Sequence, residues 1–217
     1  MSNLEIGFLG IGSVLLLIFL RFHIGIAMGL VSLVGIASIL NMDAALGMIS
    51  AVPFRYVGDW SLSAIPMFLL MGFIAGNTGL TNSLFSAMRV LLSWLPGGLA
   101  IATVGASALF AAASGSSVAT AAAMSRIAVP EMLKNGYDKG LATASVAASG
   151  TLGSLIPPSI LLLLFGFFAE VSVGQLFLAG FLPGILSVGL YAAMIYIRCA
   201  LNPALAPRTH DHATWQV

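Results

Sequence analysis

Ser114-Gly115-Ser116-Ser117 and Pro157-Pro158 are the two short runs that decide the fold of this 217-residue chain. Each interrupts a long stretch without a charged residue, 97–125 in the first case and 140–169 in the second. A membrane helix needs about 20 apolar residues to cross about 30 Å of hydrocarbon. The first stretch would be about 44 Å long as one helix at 1.5 Å per residue, too long for one untilted crossing and too short for two with a turn. It suits a re-entrant helical hairpin, whose arms of about 14 residues, or about 21 Å, reach mid-membrane and return. The tip falls where small hydroxylated residues and one glycine break an alanine-rich run. In the second stretch Pro157 and Pro158 remove two amide donors, so a discontinuous helix is expected.

Composition calls for a bilayer as solvent. Hydrophobic residues make up 59% and charged residues 7% of the chain, and mean hydropathy is +1.07; a soluble domain is about one quarter charged. The net charge of +1 and the absence of any run of five like charges exclude nucleic acid as a partner. Met1 to Leu20 lacks a cationic start, carries Glu5 and shows no small-residue cleavage pattern, so it reads as a first span rather than a signal peptide. Cys199 is the single cysteine; it has no intrachain disulfide partner and no second soft ligand nearby, and reads as a plain apolar residue.

Four stretches read as ordinary spans: 4–20, 22–40, 61–77 and 176–197. Asn41 to Trp60 mixes Asp43, Pro53, Arg55 and Asp59 with apolar residues and reads as interfacial, Trp60 anchoring the next span. Thr81 to Trp94 also reads as interfacial, with Leu84, Met88, Leu91, Leu92 and Leu95 at helical spacing and Thr81 as N-cap. Cytoplasmic loops are enriched in Lys and Arg. With residue 1 outside and the hairpin entering from the inner face, Arg21, Arg89, Arg126, Lys134, Lys139, Arg198 and Arg208 fall inside and Arg55 alone outside. A single crossing at 97–125 would reverse Arg126, Lys134 and Lys139, so the charge bias supports the hairpin.

Non-helical backbone at membrane depth leaves polar groups unpaired unless protein, water or a ligand satisfies them. Broken helix ends offer carbonyls to a hard cation, and half-helix N-termini offer amides to an anion. Ser114, Ser116, Ser117, Thr120, Ser149, Thr151, Ser154 and Ser159 add neutral oxygens. Hydroxyls in membrane helices also commonly bond to their own backbone or to a neighbouring helix, so both readings stand for each. The pairs Gly25/Gly29, Gly72/Gly76, Gly136/Gly140 and Gly180/Gly184 read as helix-packing sites. Asn77, Asn82 and Asn135 read as caps or headgroup contacts, and Asp138 as N-cap of the discontinuous helix. Arg126 and Glu131 are expected to pair or to snorkel.

Enzyme chemistry finds no support. No span contains a histidine to activate a serine; His23 borders a short loop, and His210 and His212 lie in the polar tail. There is no catalytic carboxylate pair, no Cys/His metal cluster and no phosphate-binding glycine loop with its lysine. Thr103-Val104-Gly105 starts like a potassium filter, but Ala106-Ser107 follows in place of the tyrosine and glycine that complete one.

Phe110-Ala-Ala-Ala-Ser-Gly-Ser-Ser-Val-Ala-Thr120, Val129-Pro-Glu-Met132, Gly136-Tyr137 and Ala148-Ser-Gly-Thr-Leu-Gly-Ser-Leu-Ile-Pro-Pro-Ser159 resemble the large membrane subunit of tripartite ATP-independent periplasmic (TRAP) transporters. Pro66 to Gly72 and Phe181 to Leu186 are similar to that family's patterns too, and the resemblance covers about residues 5–205. It implies an all-α protein of the bacterial inner membrane, N-terminus periplasmic, importing organic acids such as C4-dicarboxylates or sialic acid by an elevator movement. Na⁺ would be the coupling ion, with no other metal or cofactor. The implied partners are a small four-helix membrane subunit and a periplasmic binding protein.

Carried onto this chain, 1–60 would be scaffold-type helices, 61–95 a span plus interfacial helix, 96–172 the hairpin and broken helix, 173–201 the last span and 202–217 a polar connector. Ion and substrate would be bound by Ser114, Gly115, Ser116, Ser117 and Thr120 of the hairpin and by Ser149, Gly150, Thr151, Gly153, Pro157 and Pro158 of the break. Such subunits contain two inverted repeats, and this chain carries one; it is expected to be half of one, its substrate cavity completed by the other half. A fragment without transport of its own and a hairpin-containing channel are the alternatives.

Overall fold

The computed structural model describes residues 3–207, so Arg208, His210 and His212 lie outside the described residues. Every regular element among them is helical. The chain falls into two compact units, the first ending at Leu62 and the second beginning at Ser63.

The first unit holds α1 (Asn3–Phe19), α2 (Ile24–Ile39) and α3 (Met42–Val57). α2 packs against both of its neighbours. The mixed stretch from Asn41 onward is a helix because Asn41 caps it, its side chain accepting the Ala44 amide at 2.7 Å. Pro53 sits within that helix. Gly25 and Gly29 meet nothing within 4 Å; the packing expected of this pair is not made among the described residues.

The second unit is built around α6 (Gly98–Ser114), with α4 (Ala64–Asn77), α5 (Leu80–Leu92), α7 (Ser117–Lys134), α8 (Lys139–Gly150), the single turn α9 (Leu152–Leu155), α10 (Ile160–Phe168) and α11 (Val173–Leu201). α6 packs against α4, α5, α7, α8, α9 and α11. A helix with six neighbours needs a thin surface, which its run of glycine, alanine, serine and threonine provides. Gly98 to Val104 are all buried, as are Ala106, Ser107, Ala111 and Ser114. Between apolar helices in lipid the cohesion is close van der Waals contact and interhelical hydrogen bonding rather than exclusion of water.

The turn between α6 and α7 lies where the sequence places it, but both arms run longer than expected: α6 has 17 residues and α7 has 18. α7 continues past Ser125 through Arg126 and Pro130 to Lys134. Glu131 pairs with Arg89 of α5 at 2.6 Å, not with Arg126, which is exposed. Asn135 donates to the Glu131 carbonyl at 2.7 Å and so closes the end of α7.

α5 differs in two further respects. Its N-cap is Gly79, in the left-handed region at φ 76°, not Thr81. Thr81 lies inside the first turn, where its buried hydroxyl has no hydrogen-bond partner among the described residues. The apolar stripe of α5 is also covered by protein: Phe85 is in the core, Leu84, Met88 and Leu92 pack on it, and a Cβ on Gly105 of α6 would lie 3.1 Å from the Met88 sulfur. Leu91 remains exposed.

The base of the hairpin is pinned at several points. Tyr137, buried between α7 and α8, accepts the Leu99 amide on its phenol oxygen at 3.2 Å. Burial pushes that phenol above its usual pKa, against a smaller opposing effect of the Leu99 hydrogen bond. Asp138 caps α8 as expected, accepting the Leu141 amide at 3.0 Å, and its own amide donates to Leu205 O at 2.9 Å. Gly136 is a turn residue with φ 76° and Gly140 lies against the Asp138 carboxylate, so this pair serves the turn rather than helix packing.

α11 runs alongside the broken helix as a spine. A Cβ on Gly166 of α10 would lie 2.9 Å from the Val173 side chain; on Gly180, 2.8 Å from Leu155 O; on Gly184, 3.0 Å from the Ile156 side chain. Further along, Ile195 and Cys199 fill the space against Gly97. The packing expected of Gly180/Gly184 is therefore made. Among the described residues α11 alone is long and apolar enough to cross a membrane. Two bent pairs reach that size when each is taken as one span: α4 with α5, bent by 63°, and α8–α9 with α10, bent by 40°. α1, α2 and α6 are shorter apolar helices.

Two stability measurements follow from these contacts. Gly153→Ala pushes a Cβ to 2.6 Å from the Ser116 carbonyl carbon and oxygen, and is expected to cost about 1–3 kcal/mol in thermal unfolding of the detergent-solubilised protein; Gly189→Ala, with nothing within 4 Å, is expected to be neutral or slightly stabilising. Tyr137→Phe, leaving the Leu99 amide unpaired in a buried site, is expected to lower stability by about 1–3 kcal/mol.

Candidate functional site

α6 stops at Ser114 because Gly115 enters the left-handed region, φ 61°, while its amide bonds Ala111 O at 2.8 Å. This is the glycine-terminated helix end, available without strain to a residue lacking Cβ. Ser116 is extended and caps α7: its Oγ accepts the Ala119 amide at 3.3 Å, and its carbonyl accepts both the Thr120 amide at 3.0 Å and the Thr120 hydroxyl at 2.8 Å. With the Thr120 proton on that carbonyl, the 3.1 Å contact to Ser114 is a bond donated by Ser114.

The break is built in three pieces. α8 ends at Gly150, α9 makes one turn, and Ile156 leaves it in extended conformation into the cis Pro157-Pro158 peptide. Ser159 staples the gap: it donates to Ser154 O at 2.8 Å on one side and its Oγ accepts the Leu162 amide, at 3.5 Å, on the other. It is fully buried.

Tip and break meet. The Ile160 amide, first in α10, donates to Gly115 O at 3.1 Å. A Cβ on Gly115 would lie 2.6 Å from Pro158 O, on Gly153 2.6 Å from the Ser116 carbonyl, and on Gly150 2.7 Å from Ala121 Cβ. On another side, Gly72 of α4 would bring a Cβ to 3.0 Å from Ser114 O, so Gly72 does pack as expected of it. Gly76 makes a looser contact, 3.9 Å from Phe110. The tip therefore sits backbone to backbone against two glycines on two elements, Gly72 of α4 and Gly153 of α9.

Of the eleven residues singled out above, Gly115, Ser116, Ser117, Gly153, Pro157 and Pro158 share this junction, with Gly150 next to the exit arm of the hairpin at Ala121. Ser114 and Thr120 are buried and bond each other inside the hairpin. Ser149 points elsewhere: fully buried, it pairs with Ser107 of α6 at 2.9 Å, two helical turns before the tip. Thr151, exposed, donates to Ala148 O at 2.6 Å and contacts the Tyr191 hydroxyl of α11 at 3.3 Å. Two contributors escaped the sequence reading: Gly72, singled out only for packing, and Tyr191, for which no local pattern exists. Ser159 carried a signal, a serine directly after two prolines and at the head of an apolar helix.

Chemically, the junction joins carbonyl-bearing ends of α6 and α9 to the amide-bearing ends of α7 and α10. Initial amides and final carbonyls of a helix have no intrahelical partner, so both polarities are offered within one contact. No group of three or more His, Cys, Asp or Glu residues that could hold a metal ion is found among the described residues; the donor set is neutral oxygen and amide, suited to a weakly held hard cation or to an anionic group.

Residues 11–216 match the family model described as tripartite ATP-independent periplasmic transporter, DctM component. The chain is 38% identical over 173 residues to the C4-dicarboxylate TRAP transporter large permease protein DctM of Vibrio cholerae, covering 77% of this chain and 38% of that protein. It is 37% identical over 174 residues to the isethionate TRAP transporter permease protein DctMQ of Oleidesulfovibrio alaskensis, covering 78% and 27%. With the sialic acid TRAP transporter large permease protein SiaM of Vibrio cholerae the identity is 33% over 143 residues, covering 66% and 34%. The chain thus spans roughly a third of the length of these relatives. They are transporter permeases rather than enzymes, and the chain with the tip-and-break junction described above belongs to the DctM component family of tripartite ATP-independent periplasmic transporters, a family of membrane proteins.

Proposed function

We propose that this chain forms part of the membrane permease of a sodium-coupled importer of small organic acids, and that the junction of hairpin tip and broken helix is its ion and substrate site. The observation that carries this reading is the hydrogen bond from the Ile160 amide to Gly115 O. It joins two helix interruptions 45 residues apart into one cluster of helix ends. Carbonyls at the ends of α6 and α9 other than that of Gly115 would take Na⁺, and the opening amides of α7 and α10 other than those of Ala119, Ile160 and Leu162 would take a carboxylate. Relatives named for C4-dicarboxylate, sialic acid, ectoine and isethionate transport support a small anionic or zwitterionic substrate. The joint name DctMQ of one relative supports a small membrane subunit as partner, and the tripartite family description supports a periplasmic binding protein that delivers the substrate.

In this reading α6 and α7 form a re-entrant hairpin in the bacterial inner membrane, entered from the cytoplasm, with the N-terminus periplasmic. The substrate cavity is closed by protein beyond this junction, and transport proceeds by an elevator movement of the second unit's hairpin and broken helix.

Uptake by proteoliposomes holding the complete gene product with its small subunit and binding protein tests the function. Succinate, N-acetylneuraminate, ectoine and isethionate serve as labelled probes. An inward sodium gradient is expected to drive accumulation of at least one of them; uptake indifferent to sodium rejects the coupling. In the same assay Gly115→Ala, which strains φ and thrusts a Cβ at Pro158 O, is expected to lower the rate about tenfold or more, given about 1–3 kcal/mol of overpacking at the junction. Sidedness is read by thiol labelling in a Cys199→Ser background: Lys139→Cys is expected to react only from the cytoplasm and Arg55→Cys only from the periplasm. The reverse pattern would exclude the proposed orientation.

A further inference from the structure

We infer that Tyr191 of α11 is a positioning residue for the coupling cation, acting through Thr151; this rests on the sodium reading of the junction. Thr151 stands between α8 and α9, one turn before the Pro157-Pro158 break, and is exposed. Its hydroxyl has one proton, and that proton is committed to Ala148 O at 2.6 Å. The 3.3 Å contact with the Tyr191 oxygen is then a bond that the phenol donates and Thr151 accepts. A hydroxyl oxygen has two lone pairs. One is taken by Tyr191, and the other is left on an exposed oxygen whose rotamer is held from both sides. This is the state in which a neutral oxygen serves as a ligand for a hard cation: its proton is turned away and its torsion is fixed beforehand.

The placement of Tyr191 is not incidental to packing. It lies on the same face of α11 as Gly180 and Gly184, seven residues beyond Gly184 at helical spacing. Those glycines bring α11 close to Leu155 O and to the Ile156 side chain. The small residues set the distance between spine and break, and that distance lets a phenol reach Thr151. Phenylalanine would fill the same space and lack only the donated hydrogen bond.

The test is equilibrium binding of radioactive sodium to the purified, detergent-solubilised complete gene product, without substrate. Tyr191→Phe is expected to weaken sodium binding about three- to tenfold, the worth of one neutral hydrogen bond. Thermal unfolding measured without sodium is expected to be unchanged. Thr151→Val is expected to weaken binding at least as much, Thr151→Ser to retain it, and the double variant Tyr191→Phe/Thr151→Val to be no weaker than Thr151→Val alone, because the tyrosine acts only through the threonine. Wild-type sodium affinity in Tyr191→Phe, or additive losses in the double variant, overturns the role given to Tyr191 while leaving the site in place. Absence of sodium binding by the unaltered protein overturns the sodium reading itself, and this inference with it.

Discussion

A backbone that stops being helical among apolar surroundings must find partners for its amides and carbonyls. In this protein two such interruptions find partners in each other. The Gly115 carbonyl, freed by the left-handed turn, accepts the Ile160 amide, freed by the two prolines. Much of the second unit can be understood as arrangements that let these two points approach. Gly153 and Gly115 remove the side chains that would separate them, Ser159 holds the prolines' flanks together, and Gly72 admits the tip from the side of α4. Tyr137, at the opposite end of the hairpin, ties the start of α6 to the turn between α7 and α8.

The two interruptions were legible in the sequence because each is a local event: hydroxylated residues and a glycine in an alanine run, and two adjacent prolines in an uncharged one. Asp138 as N-cap was legible for the same reason, since a cap lies within three residues of the amide it serves. Their mutual contact was not, because a hydrogen bond between positions 115 and 160 leaves no periodicity to read. Glycines show the same limit. Gly72 and Gly180 make close backbone contacts whereas Gly25 and Gly29 meet nothing within 4 Å, although the spacing of each pair is identical. A missing side chain announces that something can approach, not that anything does.

Where the reading went astray, the cause was tertiary. The apolar stripe of α5 has the pattern of an interfacial helix, yet its partner is α6, whose small-residue surface admits Met88 at Gly105. Glu131 has a cation five residues away along its own helix in Arg126, yet it meets Arg89 of α5 at 2.6 Å. Thr81 has the residue type of a cap, but Gly79 can take φ 76° and starts the helix earlier. Ser149, one of the hydroxyls that the sequence offers as a ligand, is bonded to Ser107 across the contact of α8 and α6. This is the use to which a serine between membrane helices is commonly put.

The face of α11 that carries Gly180, Gly184, Tyr191, Ile195 and Cys199 has a consequence for how the sequence can drift. Its outward residues, among them Leu178, Leu182, Ile185, Leu186 and Leu190, are exposed and apolar, and any aliphatic side chain would serve there. Its length is not similarly free. One residue inserted between Gly184 and Tyr191 would rotate everything beyond it by about 100°, turning Tyr191 and Cys199 away from Thr151 and Gly97 together. Over evolutionary time this helix should accept substitutions on its outer side readily and insertions almost never, so its spacing should outlast most of its letters.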